Sequence, residues 1–164
     1  MNGPILVLVA GQDRISTEKT EGLLREAGYQ ALSAADGAQA LQRLREKFCP
    51  MVIINGETGE GDGPELCRRI RSERLPGYPY LILIEDFQSN GGTVAALEAG
   101  ADQVLSQPVE RSRLLAALKA GERIMGLESS LKKINEEFKA LSTSDSLTGV
   151  FNRGYLRQQL PNEI

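Results

Sequence analysis

Asn55 closes the apolar run Met51-Val52-Ile53-Ile54, and Asp62-Gly63 follows ahead of a helical pattern over 64–70. A carboxylate at the end of such a run could attack a phosphoryl group or coordinate Mg²⁺, whereas an amide is neutral and a poor nucleophile. The chain has no histidine, which excludes histidine-based catalysis and histidine phosphotransfer within it. Cys49 and Cys67 lack metal-type spacing and read as buried reduced thiols. Asp13, Glu57, Glu85 and Asp86 could meet at one end of a sheet, where they read as solvated carboxylates rather than a weak metal site. Arg68, Arg69, Arg71 and Arg74 read as a solvated helix face rather than a phosphate patch. Asn55-Gly56 is prone to succinimide formation, because glycine lets its backbone nitrogen approach the side-chain amide. No functional role is assigned to a carboxylate formed that way. No catalytic residue, metal ligand or cofactor is expected.

These residues must be positioned by short apolar runs that alternate with helical patterns, the signature of βαβ units around a parallel sheet. Strands are predicted near 4–9, 30–34, 50–55, 80–84 and 103–106, and helices near 15–27, 37–48, 64–74 and 91–99. Gly28, Gly37, Gly63 and Gly100 punctuate them. The expected class is α/β, a flavodoxin-like five-stranded parallel sheet of order 2-1-3-4-5 whose ligand crevice lies at the carboxyl ends of the strands. A length of 164 residues with 41% hydrophobic and 25% charged side chains suits one domain plus an appendage. Apolar runs such as Ile5 to Ala10 are far too short to span a bilayer and no signal region opens the chain, so a cytoplasmic protein without a membrane partner is expected. Residues 1–110 carry a net −6 and residues 111–164 a net +3. Neither is basic enough to suggest a nucleic-acid surface.

Several stretches together resemble a response-regulator receiver domain over about residues 4–120. They are the Asn55 to Gly63 spacing, Ala35-Asp36-Gly37-Ala38-Gln39-Ala40-Leu41, and Ala96-Leu97-Glu98-Ala99-Gly100-Ala101-Asp102 followed by Gln107-Pro108. The resemblance implies a phosphoryl-accepting aspartate at Asn55, an acidic Mg²⁺-binding pair at Val9 and Ala10, a switch hydroxyl at Ile84, and a lysine before a cis-proline at Gln107. All five positions have changed type. Metal ligands, acceptor, hydroxyl and cation are lost together, which removes every charge-assisted contact a phosphoryl group needs. The chain is expected to be a degenerate receiver whose pocket is inert to phosphoryl donors.

Beyond Arg111 no proline appears before Pro161, and Ile124, Leu127, Leu131, Ile134, Phe138 and Leu141 recur at alternating intervals of three and four. This a/d seam predicts an extended helix over 111–143 that pairs as a parallel two-stranded coiled coil. Short isolated helices are marginal, so its stability is expected to depend on receiver dimerisation. After it, Asp145-Ser146-Leu147-Thr148-Gly149-Val150-Phe151-Asn152-Arg153 resembles the opening motif of GGDEF domains, the diguanylate cyclases that make cyclic di-GMP from two GTP molecules. The motif's residues here are Asp145, Leu147, Thr148, Gly149, Asn152 and Arg153. The resemblance implies a guanine contact from Asn152, while Pro161 stands where the family has a second, acidic guanine contact. The expected organisation is a receiver-like domain over 1–120, a linker over 111–143 and the start of a GGDEF domain over 144–164, with no complete cyclase by residue 164.

The favoured function is a non-phosphorylatable module of a diguanylate cyclase in cyclic di-GMP signalling. It would act as a homodimer through a receiver face and the coiled coil, under a protein or small-ligand regulator. A stand-alone adaptor that binds another signalling protein is the alternative. A flavodoxin-like cofactor binder is disfavoured, because Ala10-Gly11-Gln12-Asp13 is neither a P-loop nor a dinucleotide glycine pattern.

Overall fold

Apolar runs become strands and amphipathic runs become helices in strict alternation in this computed structural model, which describes residues 3–56, 63–85 and 92–147. The order is β1 (Leu6–Ala10), α1 (Arg14–Glu26), β2 (Gln30–Ala34), α2 (Gly37–Glu46), β3 (Met51–Asn55), α3 (Gly63–Ser72), β4 (Tyr80–Glu85), α4 (Gly92–Ala99), β5 (Gln103–Ser106) and α5 (Arg111–Leu147). The strands form one parallel sheet in the order β2-β1-β3-β4-β5. This is the flavodoxin-like arrangement expected from the sequence.

Helix ends follow local chemistry. Asp13 caps α1 by accepting from the Ile15 amide at 3.2 Å, and Asp36 caps α2 by accepting from the Gln39 amide at 2.8 Å. Gln39 returns a bond by accepting from the Ala35 amide at 2.7 Å. At the other end of α1, Gly28 takes φ +93° while the Gly28 and Tyr29 amides donate back to Arg25 and Leu24. Gly100, at φ +118°, repeats the pattern after α4, with the Gly100 and Ala101 amides donating to Leu97 and Ala96. A side chain with a Cβ would be strained at either position.

Both faces of the sheet are covered, so the central strands β1, β3 and β4 read as nearly continuous apolar runs. Alternate residues feed two cores. Leu8, Val52, Ile54, Leu81 and Leu83 pack with Leu41 and Leu44 of α2, Leu66 and Ile70 of α3, and Ala96 of α4. Val7, Val9, Ile53, Ile82 and Ile84 pack on the opposite face with Leu24 of α1 and Leu114 and Leu118 of α5. Gly121 lets α5 come close to the sheet, since a Cβ there would stand 2.7 Å from Met51 Sδ and 2.9 Å from the Tyr80 ring.

Arg71 of α3 is no part of a solvated face. Its guanidinium donates to the Gly100 carbonyl at 2.8 and 3.0 Å, to the Pro79 carbonyl at 2.8 Å and to the Asp102 carboxylate at 2.7 Å, and it stacks 4.1 Å from the centre of the Tyr78 ring. The same carboxylate accepts from the Leu81 amide at 2.8 Å. One side chain thus clamps the turn after α4 to the entry of β4. Arg68, by contrast, pairs with Glu65 of its own helix on the surface.

The chain divides into two units, Met1–Met125 and the segment that begins at Gly126. In the second, α5 continues to Leu147, a 37-residue helix in all. Ile124, Leu127, Leu131, Ile134, Phe138 and Leu141 are 40–70% exposed along it. No helix among the described residues is long and apolar enough to cross a membrane.

Candidate functional site

The carboxyl ends of β1, β3, β4 and β5 converge around Asn55. Register places Asn55 beside Ile84 on β4, and Ala10 beside Ile54, which sets Gly11 next to Asn55 on the other side. The Gly56 amide donates to the Ile84 carbonyl at 2.7 Å, and the Gln107 amide donates to the Glu85 carbonyl at 3.0 Å. Gln107 is joined to Pro108 by a cis peptide bond. Asn55, Ile84 and Gln107 line one cleft of about 240 Å³, together with Asp13, Lys19 and Thr20 of the α1 region.

Asn55 is only 6% exposed, and its Nδ2 has no hydrogen-bond partner among the described residues. A buried amide N–H normally finds an acceptor, so this donor marks the floor of the cleft as a place that could hold one. Ile84, 2% exposed, presents hydrocarbon where the resemblance implied a hydroxyl. Gln107 supplies a neutral amide in place of an ammonium. The cation in the wall is Lys19, from a helix whose contact with the site no local sequence signal announces.

Val9 and Ala10 do not line this cleft. Both are fully buried within β1, Val9 in the core under α1 and α5 and Ala10 in the core under α2 and α3. The strand runs to Ala10 rather than Val9, so the residue that meets Asn55 is Gly11. A Cβ on Gly11 would lie 2.9 Å from Asn55 Cβ and 3.2 Å from Thr17 Oγ1, too close for any longer side chain without local displacement.

Of the acids singled out from sequence, Asp13 spends a carboxylate oxygen on the α1 cap, and Glu57 and Asp86 lie outside the described residues. Among the described residues no group of three or more acidic, cysteine or histidine side chains comes together as a metal site. Cys49 and Cys67 are fully buried. Burial pushes their thiols up to about 11 and about 12, which keeps them protonated and unreactive at neutral pH. Of the GGDEF-like motif, Asp145 and Leu147 fall in the last turns of α5. Thr148, Gly149, Asn152 and Arg153 lie outside the described residues.

Comparison with known proteins gives this geometry a family. The chain is 34% identical over 125 residues to the transcriptional regulatory protein AfsQ1 of Streptomyces coelicolor, covering 73% of this chain and 53% of that one. It is 30% identical over 158 residues to the response regulator MprA of Mycobacterium bovis, covering 95% of this chain and 66% of MprA. The chain thus spans between half and two thirds of these relatives. Among solved structures, a probable two-component system response regulator/GGDEF domain protein superposes with a TM-score of 0.65 at 28% identity, over 72% of this chain and 50% of the other. The family model for the response regulator receiver domain matches residues 7–119, and through them the chain belongs to the response regulator receiver domain family.

Proposed function

We propose that this chain is a receiver that does not take up phosphate and that signals through dimerisation, as the regulatory part of a protein whose output is a GGDEF domain in cyclic di-GMP signalling. The observation that carries the first half is Asn55, at the end of β3 where the family's acceptor would stand, 94% buried with hydrocarbon from Ile84 beside it. An amide there neither attacks phosphorus nor neutralises a metal ion. Gly11 adds a steric argument, because the space for a metal-binding carboxylate beside Asn55 is taken up by Asn55 and Thr17 themselves.

The exposed a/d stripe on α5 supports the dimer. Six large apolar side chains on one face of a helix are costly in water and are covered most simply by the same stripe of a second copy. In a parallel pair Arg123 of one copy, at a g position, faces Glu128 of the other at an e position. Output through a GGDEF domain is supported by the Asp145 to Arg153 motif and by the structural neighbour that joins the two kinds of domain. A second reading, a receiver that controls transcription, is favoured by the relatives AfsQ1 and MprA.

The test treats the purified protein with acetyl phosphate and Mg²⁺, and separately with beryllofluoride, followed by intact mass, amide spectra and sedimentation equilibrium. The expected result is no added phosphoryl group, no beryllofluoride-dependent shift near Asn55, and a dimer under all conditions. A stable phosphoryl adduct, or a monomer that dimerises only with beryllofluoride, overturns the reading. Synthesis of cyclic di-GMP from GTP by the protein with its output domain separates the GGDEF reading from the transcriptional one.

A further inference from the structure

Asn55 lies in the cleft already described, but among the described residues two other buried polar atoms lack a partner, Thr17 Oγ1 and Arg43 Nε, and both of these residues line a different cleft. It is a cleft of about 370 Å³ at the carboxyl ends of β1 and β2, walled by Arg14, Thr17, Glu18 and Glu21 of α1 and by Gln39 and Arg43 of α2. Thr17 is only 6% exposed. Two residues from helices on opposite faces of the sheet wall the same space, and neither buried donor finds an acceptor among the described residues. Buried polar groups are normally satisfied, so a pair that shares one cavity points to an occupant.

Charge decides what kind. Glu18 is held by Arg14 at 2.7 Å and Glu21 by Arg25 at 3.3 Å, so both carboxylates of the wall are already matched by guanidinium groups. Arg43 has no ion-pair partner among the described residues and is the surplus positive charge of the cleft. Its Nε–H and the Thr17 hydroxyl are both able to donate to an oxygen. We propose that this cleft binds a small oxyanion, a carboxylate or a phosphate, through Arg43 and Thr17. Charge-assisted bonds from a guanidinium suit such an oxygen better than a neutral acceptor. The site stands independently of the reading of Asn55. It also touches the degenerate pocket, because Gly11 packs directly between Thr17 and Asn55.

The experiment is a titration of the whole chain with sodium phosphate, and separately with sodium acetate, against sodium chloride at matched ionic strength. It is followed by amide shifts and by the Arg43 Nε–H resonance. The expected result is saturable shifts at Gly11, Thr17 and Arg43 with one or both anions but not with chloride. Arg43→Gln and Thr17→Val should each weaken binding by about tenfold or more, while Thr17→Ser, which keeps the hydroxyl, should retain it. Dispersed amide spectra check that each variant is folded. Shifts that do not saturate with either anion, that fall elsewhere, or that are unchanged in folded Arg43→Gln overturn the proposal.

Discussion

At the scale of the residue, Asn55 raises the question of whether a single substitution would restore what the family does. Asn55→Asp returns a carboxylate, but Ile84 offers no hydroxyl, Gln107 no charge and Gly11 no room for a metal ligand. The new carboxylate would be 94% buried if it kept the place of Asn55, with Lys19 as the ammonium on the cleft wall. The variant should gain no beryllofluoride response. It should lose about 2 kcal/mol of stability at neutral pH. Burial raises the folded carboxyl's pKa above its unfolded value, so the native state takes up the proton first and the deficit shrinks as pH falls. Urea midpoints for the variant and the parent at pH 7 and pH 5 check this, and a deficit that widens on acidification refutes it. The succinimide route to the same carboxylate is opposed by the fold, because the Gly56 nitrogen that would have to attack donates to the Ile84 carbonyl at 2.7 Å. Asn55 stands out in the sequence because it closes an apolar strand with a polar residue, whereas Ile84, inside the run of β4, and Gln107 were singled out only by the resemblance to the receiver family. The end of β1 was harder to place, because the run from Ile5 to Ala10 is apolar throughout. A strand buried on both faces carries no alternation to mark where it stops, and only its pairing with β3 reveals that Gly11 is the residue beside Asn55.

At the scale of the element, two pieces behave differently from their sequence. Arg71 sits in an arginine-rich stretch that reads as a wet helix face, yet its partners lie at Pro79, Gly100 and Asp102, up to 31 residues away. Periodicity within one helix cannot register a partner on another. Arg71→Met should keep the aliphatic packing while it removes the guanidinium donor from two carbonyls and from the Asp102 carboxylate, for a loss of about 2–4 kcal/mol in urea unfolding. A loss below about 0.5 kcal/mol, the scale of an ordinary surface change, would show that the clamp is dispensable. The stripe on α5 was legible as a pattern because an a/d repeat needs no tertiary information. Its cover by a second copy is the expectation drawn from that same repeat. Leu131, 68% exposed in the single chain, should tolerate Asp without harm to the sheet. In a dimer the same change places a charge in the seam, and dissociation should strengthen by about 100-fold or more. Sedimentation equilibrium of Leu131→Asp beside the parent decides it, with the sheet's amide spectrum as the control for folding. Equal dimerisation of the two proteins would remove the seam from the account.

For the whole molecule, the sheet order was legible because five apolar runs, four helical patterns and their glycines agree with one another, and local consistency of this kind is what specifies a fold. The same packing imposes a pH dependence that no single motif announces. Burial raises the Cys49 thiol to about 11 and the Cys67 thiol to about 12, from 9.0. It also raises the Tyr29 phenol to about 12 from 10.0, helped by Glu122, and the Tyr78 phenol to about 12 from 10.0, helped by its bond to Asp102. Each group keeps its proton in the native state at a pH where the unfolded chain has released it. The unfolded chain therefore binds fewer protons above about pH 9, and stability falls as pH rises toward 12. Tyr78 is 41% exposed, so solvent screens its share and the thiols and Tyr29 dominate. The urea midpoint should hold steady up to about pH 8.5 and decline from there. In Cys49→Ala with Cys67→Ala the onset should move up toward pH 10, where the buried phenols begin to contribute, even though the double variant starts from a lower midpoint because of the volume it loses. A parent midpoint that stays level from pH 8.5 to 10, or an onset that does not move when the thiols are removed, would mean that the buried groups do not set the alkaline limit of this fold.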